Sequence, residues 1–375
     1  MLTIEQIDVK SKKQVNEFID LPFRLFSKHP QWVPPFIGDI KIMLNREKHP
    51  YYEHSDADFF VAKRDGKVVG RIAALENRPF NKYHGSKDAE FYLFECEDDQ
   101  EVANALFNRL FEWAHKRSLN HVVGPKGFGQ FDGYGLLTEG FENRCMMTMM
   151  NYNFPYYIKL VETLGFTKAV DFVSCYIRRD GFNLPEKVIK AVEIVRKRGT
   201  FEVVRFKNKN DLKKWADPIG KAYNKTFVNN WEYYPLTERE VNFLLDNLMV
   251  VADPKLIKVI THKDEVVGFL FAFPDISAAL QRSGGHVNPV SVVDMLLEMK
   301  RTKWVSFNGV GVLPEYQGLG GNALLYDEMK KTVVEYSFEH SELTQMAETA
   351  TQIRKDIITL GSREYKNHRV FQIQI

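Results

Sequence analysis

Cysteine is scarce in this sequence, which excludes a domain held together by disulfides. Cys96, Cys145 and Cys175 lie far apart and have none of the spacings typical of metal ligands. No apolar run approaches the ~20 residues needed to cross a bilayer, and the first residues are charged rather than typical of a signal peptide. We therefore expect a cytoplasmic protein with no metal and no membrane partner.

Neither sign of charge dominates the sequence. Its 51 lysine and arginine residues nearly balance 49 aspartate and glutamate residues, which leaves a formal net charge of +2. Because no stripe rich in arginine is found, we expect no nucleic-acid partner. The length of 375 residues suggests two domains, and the 28 phenylalanines and 16 tyrosines predict thick aromatic cores.

The same order of predicted secondary-structure elements occurs twice in the sequence. Each half is predicted to run strand, two helices, hairpin, strand, helix, strand, helix, strand. The hairpins are the clearest markers, since Asp65-Gly66 and Lys263-Asp264 each separate two apolar runs. This repetition predicts a tandem duplication.

The boundary between the two copies is expected near residues 178–187, where Gly181 and Pro185 interrupt the pattern. We therefore expect domains at 1–180 and 181–375. The fold class predicted for both is α/β (α+β), with a mixed, mostly antiparallel sheet flanked by helices.

A glycine-rich segment, GVLPEYQGLGGNALLYDEM at 311–329, lies where a predicted strand gives way to a predicted helix. A helix start has unpaired N–H groups and a partial positive charge, and glycine lets a bulky anion approach that backbone. The pattern therefore favours a pyrophosphate site. It forms neither a Walker loop nor G-x-G-x-x-G, so a glycine-softened turn without a ligand is the alternative.

The core of this segment resembles motif A of the GCN5-related N-acetyltransferases (GNAT), which reads Q/R-x-x-G-x-G/A. Gln317, Gly318 and Gly320 fit that motif, while its last small position falls on Asn322. The strand order also resembles a GNAT domain over most of residues 200–375 and more weakly in the first half. The chain as a whole resembles two-domain, GNAT-like bacterial proteins of unassigned substrate.

The resemblance implies two tandem GNAT-like (acyl-CoA N-acyltransferase) domains in an enzyme that is a monomer or homodimer. Acetyl-CoA, or another acyl-CoA, would be the co-substrate, and an amine of a small molecule or peptide would attack it directly in a ternary complex. A non-catalytic binding module and an aminoacyl or long-chain acyl transferase are the alternatives.

The resemblance also implies which residues contact the acyl-CoA. Gly309 and Gly311 suit the bulge that splays the preceding strand in this family. The implied contacts, made largely through backbone groups, come from Val310, Val312, Gln317, Gly318, Leu319, Gly320, Gly321, Asn322 and Ala323.

The equivalent junction of the first half, FECEDDQEVANAL, has no glycine and is rich in acid. Its carboxylates are Glu95, Glu97, Asp98, Asp99 and Glu101. Carboxylates at a helix start satisfy its N–H groups and would repel a pyrophosphate. We therefore expect the first domain to have no cofactor site.

The catalytic residues are less marked, because the segment AETATQIRKDIITLGS lacks the asparagine and tyrosine of the GNAT motif B. Glu348 is the candidate general base or substrate ligand, with a helix-capping role as the alternative. Tyr365 is the first tyrosine after that segment and is the candidate acid.

Substrate-binding candidates lie in two loops of the second half. Trp231, Tyr233 and Tyr234 in NNWEYYP would form a wall of the acceptor cleft, with core packing as the alternative. Asp275 follows the second hairpin and would hold a cationic acceptor, with a turn role as the alternative.

Overall fold

The computed structural model describes residues 1–129, 132–146, 150–228, 230–231 and 233–375. The chain forms two compact units. Unit 1 consists of Met1–Val173, Ile276–Glu298 and Tyr365–Ile375, and unit 2 consists of Ser174–Asp275 and Met299–Glu364. The units differ from the predicted halves because two segments from the second half pack within unit 1. The boundary between duplicated copies stays a prediction.

The described residues form the following strands and helices. The strands are β1 (Leu2–Gln6), β2 (Asp56–Arg64), β3 (Lys67–Glu76), β4 (Asp88–Cys96), β5 (His121–Gly124), β6 (Leu136–Glu139), β7 (Thr167–Arg178), β8 (Glu202–Val204), β9 (Ile257–His262), β10 (Glu265–Pro274), β11 (Trp304–Val312), β12 (His340–Ala347) and β13 (Arg363–Gln374). The helices are α1 (Lys12–Leu25), α2 (Ile37–Met43), α3 (Arg78–His84), α4 (Gln100–His115), α5 (Tyr156–Thr163), α6 (Glu186–Arg198), α7 (Lys209–Lys214), α8 (Ala216–Thr226), α9 (Glu238–Val251), α10 (Ser277–Ser283), α11 (Pro289–Arg301), α12 (Gly321–Glu335) and α13 (Thr351–Thr359). Within the described residues, none of these helices has both the length and the apolarity needed to cross a bilayer.

Each unit contains a mixed sheet, and the first strand pairs of the two sheets have the same arrangement. In unit 1 the strand order is β1-β2-β3-β4-β5-β13-β7, and β6 also pairs with β13. In unit 2 the order is β8-β9-β10-β11-β12-β7. Each sheet has three antiparallel pairs followed by one parallel pair, β4 with β5 and β11 with β12. The predicted fold class is confirmed.

The hairpin turns form as their sequences predict. A two-residue turn that follows the twist of its strands needs positive φ at both central positions. Asp65 and Gly66 have φ of 51° and 80°, and Lys263 and Asp264 have φ of 49° and 66°. The two hairpins, β2 with β3 and β9 with β10, are therefore confirmed.

Aromatic side chains fill the core of unit 1 between the sheet and α4. Phe107 of α4 packs edge-on against Phe91, Phe94 and Phe166, with ring centroids 5.1, 5.0 and 5.1 Å away. Such aromatic pairs add about 0.5–1.5 kcal/mol beyond the burial of their area. The predicted thick aromatic core is confirmed for this unit.

In unit 2, an ion cluster centred on Glu328 fixes α12 to α6. Glu328 is 2% exposed, and it accepts hydrogen bonds from Arg196 (2.5 Å) and Lys331 (2.8 Å). Burial alone would raise the pKa of Glu328, but the bonds from Lys331 and Arg196 outweigh burial and lower that pKa to about 2. The cluster therefore fixes the position of α12 against α6 at a point beyond the first turn of α12.

Glu328→Gln tests this anchor. Because the folded-state pKa lies below the ordinary value of 4.5, the carboxylate stabilises the fold fully above pH 4.5 and loses that effect as the pH falls towards 2. We expect the variant to lower the free energy of unfolding at pH 7 by roughly 1–3 kcal/mol, with the difference shrinking in acid. Urea unfolding across this pH range measures the difference in free energy of unfolding.

The exposed Asp217→Asn serves as the control and should change the free energy of unfolding by less than about 0.5 kcal/mol. A loss of stability in Glu328→Gln that is equal at all pH values contradicts the assignment.

Candidate functional site

The start of α12 presents backbone N–H groups that no side chain caps. The N-cap is Gly320, which has no side chain to accept a hydrogen bond. The first helical bond runs from the Leu324 N–H to the Gly320 carbonyl at 3.1 Å. Within the described part of the chain, nothing accepts from the N–H groups of Gly321, Asn322 and Ala323. This is the anion-binding geometry that the sequence predicts.

Two glycines shape the turn that leads into α12. Gly318 and Gly320 have φ of 75° and 88°, the left-handed region that side chains with a Cβ rarely adopt. A Cβ on Gly320 would lie 2.5 Å from Cγ2 of Val195 on α6, whereas a Cβ on Gly318 would meet nothing within 4 Å. Leu319 between them is 50% exposed. The turn therefore leaves open space beside Gly318.

Strands β11 and β12 pair at one end and part at the other. Their parallel register runs from Trp304 opposite His340 to Phe307 opposite Leu343. Among the described residues, Val310 and Val312 pair with β10 and not with β12. The register with β10 shifts where Asn308 forms an extra residue. The predicted bulge is thus confirmed, and its extra residue precedes Gly309.

The open edge of β11 faces the gap left by β12. The Leu313 N–H donates to the Val267 carbonyl at 2.9 Å, so Leu313 directs its backbone groups towards the β10 side. Because these directions alternate along a strand, Val310 and Val312 direct theirs away from β10. The Val312 carbonyl accepts from Gln317 Nε2 at 3.1 Å. Gln317 therefore ties the glycine turn to the end of β11.

A polar cluster that the sequence reasoning missed marks the point where the two strands part. Asn308 Nδ2 donates to Thr344 Oγ1 at 3.2 Å, and Ser306 Oγ donates to Asn308 Oδ1 at 2.8 Å. The signal that could have found Asn308 is its place just before the first bulge glycine. This cluster bridges β11 and β12 at the apex of the gap.

Two buried polar atoms on α12 have no hydrogen-bond partner within the described residues. They are Asn322 Oδ1 and the hydroxyl of Tyr326, one helical turn apart. Tyr326 packs against the buried cluster of Ile177, Leu184 and Leu360, and burial raises the pKa of its hydroxyl. A buried polar group without a partner costs roughly 1–3 kcal/mol, so each of these two atoms needs a water or a ligand as its partner. Sequence reasoning missed Tyr326, although its spacing of four from Asn322 was available.

The two predicted catalytic residues lie in different units. Glu348 directly follows β12 in unit 2 and is half-buried, with its carbonyl accepting from Arg354 at 3.4 Å. The N-cap of α13 is Ala350, so Glu348 does not hold the capping position weighed as its alternative. Tyr365 lies on β13 in unit 1. Their catalytic roles stay predictions.

Most of the predicted substrate-binding side chains are buried. Tyr233, Tyr234 and Asp275 are 6%, 2% and 2% exposed, while Trp231 is half-buried. Asp275 follows the end of β10, as predicted, and its N–H donates to the Trp304 carbonyl at 3.0 Å. Burial suits the core-packing alternative for the tyrosines, and a substrate role for all four stays a prediction.

The equivalent helix start in unit 1 carries its own anion. Asp99 is the N-cap of α4, and its carboxylate accepts from the N–H groups of Glu101 (2.9 Å) and Val102 (3.4 Å). Arg64 lies 2.8 Å from Asp99 and 2.6 Å from Glu101. The capping carboxylate predicted for this junction is confirmed. The groups that are open at α12 are occupied at α4.

Comparisons with known proteins agree with this architecture. No protein-family model matches the chain. It is 27% identical over 375 residues to the bacterial ceramide synthase of Caulobacter vibrioides, covering 98% of this chain and 96% of the relative. It is 25% identical over 371 residues to protein YghO of Escherichia coli, covering 97% and 94%. Among solved structures, a tandem GNAT protein from the clavulanic acid biosynthesis pathway, 12% identical, matches with a TM-score of 0.58 over 100% of this chain and 98% of that one. The chain therefore has the tandem GNAT fold.

Proposed function

We propose that this protein transfers an acyl group from acyl-CoA to an amine, and that unit 2 holds the site. The observation that carries the proposal is the difference between two helix starts of one fold. α12 begins at Gly320 with N–H groups open, and α4 begins at the carboxylate of Asp99. A pyrophosphate is attracted to the first and repelled by the second.

The gap between β11 and β12 would take the arm of the co-substrate that leads to the thioester. Val310 and the N–H of Val312 would supply the backbone hydrogen bonds that a missing strand would otherwise provide. The arm carries amide groups, which match these donors and acceptors. The thioester would then lie near Asn308 and Leu343, where the strands meet.

Two side chains of unit 2 are our candidates for moving the protons of this reaction. As the amine nitrogen bonds to the thioester carbon and the carbon–sulfur bond breaks, the nitrogen loses a proton and the sulfur gains one. Glu348, just beyond β12, would accept the first proton directly or through water. Tyr326, whose pKa burial raises further above neutral, would donate the second proton and regain it from solvent.

The acceptor class we favour is a long-chain amine. The Caulobacter relative, which aligns over 98% of this chain, is named a ceramide synthase, and a ceramide is an amide formed from a long-chain amino alcohol. This choice narrows the small-molecule amine acceptor expected from the sequence to one with a long chain. Release of free thiol from acyl-CoA, followed against short amines, peptides and long-chain amino alcohols, tests it; thiol release that no long-chain amine stimulates contradicts it.

Gly318→Asp and Gly318→Asn form a matched pair that tests the anion cradle. Both side chains tolerate positive φ better than other residues, and the space beside Gly318 is open, so the two variants differ mainly in charge. Saturating acyl-CoA should raise the melting temperature of the wild type and of Gly318→Asn, by an amount equivalent to about 2.7 kcal/mol at 100 times Kd. Gly318→Asp should lose most of that shift.

The control adds a carboxylate to unit 1 instead. Asn104→Asp changes an exposed side chain of α4 and should leave the acyl-CoA shift intact. An equal loss in Gly318→Asp and Gly318→Asn would show that shape rather than charge matters. No shift in the wild type overturns the proposed function.

Tyr326→Phe tests the proton donor. Since the buried hydroxyl has no partner among the described residues, its removal should leave the melting temperature equal or higher. The acyl-CoA shift should persist, while kcat falls by about 100-fold or more. The exposed Tyr83→Phe is the matched control and should change neither quantity. A wild-type kcat in Tyr326→Phe excludes the role of Tyr326 without affecting the proposed site.

A further inference from the structure

Helix α11 turns large apolar side chains towards solvent. Six aliphatic side chains within eleven residues are at least 40% exposed, namely Val287, Val290, Val292, Val293, Leu296 and Leu297. Val290 reaches 79% and Val293 reaches 57%. Contiguous exposed patches of this kind mark contact with another molecule, whereas single exposed aliphatics are ordinary.

The periodicity of α11 shows that this exposure belongs to one face. Val290, Val293 and Leu297 follow the i, i+3, i+7 spacing that places side chains on one side of a helix. The buried face carries Ser291 and Met295, which are 6% and 9% exposed. A surface helix normally buries its aliphatic stripe and exposes its polar one. In α11 the aliphatic residues are instead on the exposed side of the helix.

The two acids of α11 are paired with a cation, whereas its own two cations have no acidic partner among the described residues. The two acids of α11, Asp294 and Glu298, are both held by Arg282, at 2.9 and 2.5 Å. Lys300 and Arg301, at the end of the helix, are exposed, and neither forms an ion pair with a described residue. The face therefore ends in two cations whose charge is not neutralised.

We propose that α11 binds the surface of an anionic lipid bilayer, lying in its plane with Val290, Val293 and Leu297 inserted. Exposed cations beside an aliphatic face complement anionic headgroups and the acyl chains beneath them. The 13 residues of α11 extend only about 20 Å, too short to span the roughly 30 Å hydrocarbon core. An in-plane helix needs no long apolar run, so this proposal revises the expectation of no membrane partner.

A bilayer suits this face better than a second protein does. Protein interfaces are enriched in tyrosine, tryptophan and arginine at their centres, whereas the exposed face of α11 has only valine and leucine at its centre and its cations at the end of the helix. Vesicle binding needs no catalysis, so the proposal stands independently of acyl transfer. If both hold, the helix brings the protein to the phase in which a long-chain amine dissolves.

Sedimentation with vesicles tests the proposal on the full chain. The wild type should sediment with vesicles of equal parts phosphatidylcholine and phosphatidylglycerol, and less with phosphatidylcholine alone or at high salt. The double variant Val293→Gln/Leu297→Gln should bind these vesicles more weakly, with a partition coefficient lowered by about tenfold or more. The control Val250→Gln/Ile358→Gln removes two aliphatic side chains elsewhere that are more exposed (67% and 50%, against 57% and 40%), and it should bind as the wild type does.

Three outcomes would overturn the proposal. The wild type stays in the supernatant with both kinds of vesicle; or the α11 double variant binds as well as the wild type; or sedimentation velocity shows a dimer that the α11 variant, and not the control, dissociates. The last outcome would assign this face to a second copy. Circular dichroism on each variant confirms that lost binding is not lost folding.

Discussion

The backbone N–H groups at the start of α12 are the constraint on which the arrangement of unit 2 depends. Left without a cap, these donors favour an anion and would otherwise be satisfied only by water. The surrounding contacts keep them presented. Glu328 and Arg196 fix the helix from behind, the glycine turn withholds any side chain, and Gln317 ties that turn to β11. Each of these contacts helps to hold the uncapped N–H groups of α12 in position.

The two units share a fold but differ at the helix start where an anion could bind. Both sheets begin with three antiparallel strand pairs and one parallel pair. In both, the strand before the helix is irregular, since Leu93 in β4 has φ of 48° and β11 bulges at Asn308. What differs is the residue at the helix cap, Asp99 in one and Gly320 in the other. The same framework is thus stable with or without an open anion site, and function follows the cap rather than the topology.

Local signals account for what the sequence predicted. Positive φ at the hairpin turns, glycine before α12 and the carboxylate before α4 act within a few residues, so the chain itself reveals them. The burial of the Tyr326 hydroxyl depends on packing against residues distant in the sequence, such as Ile177 and Leu360, which no local pattern encodes. Helices α10 and α11 were not predicted, because an outward aliphatic face in α11 blurs the usual contrast of polar and apolar sides. Tertiary packing also decides that residues 276–298 group with unit 1.

The cap of α4 has a consequence for how the protein responds to its surroundings. Asp99 is joined by covalent bonds to the helix that it caps, so its carboxylate acts as a ligand at an effective concentration that a dilute free anion does not match. The cap of α4 is therefore present whatever the supply of small molecules. The first turn of α12 has no such built-in ligand. The anion at the start of α4 thus belongs to the chain itself, whereas the donors at the start of α12 are open to an anion from outside the chain.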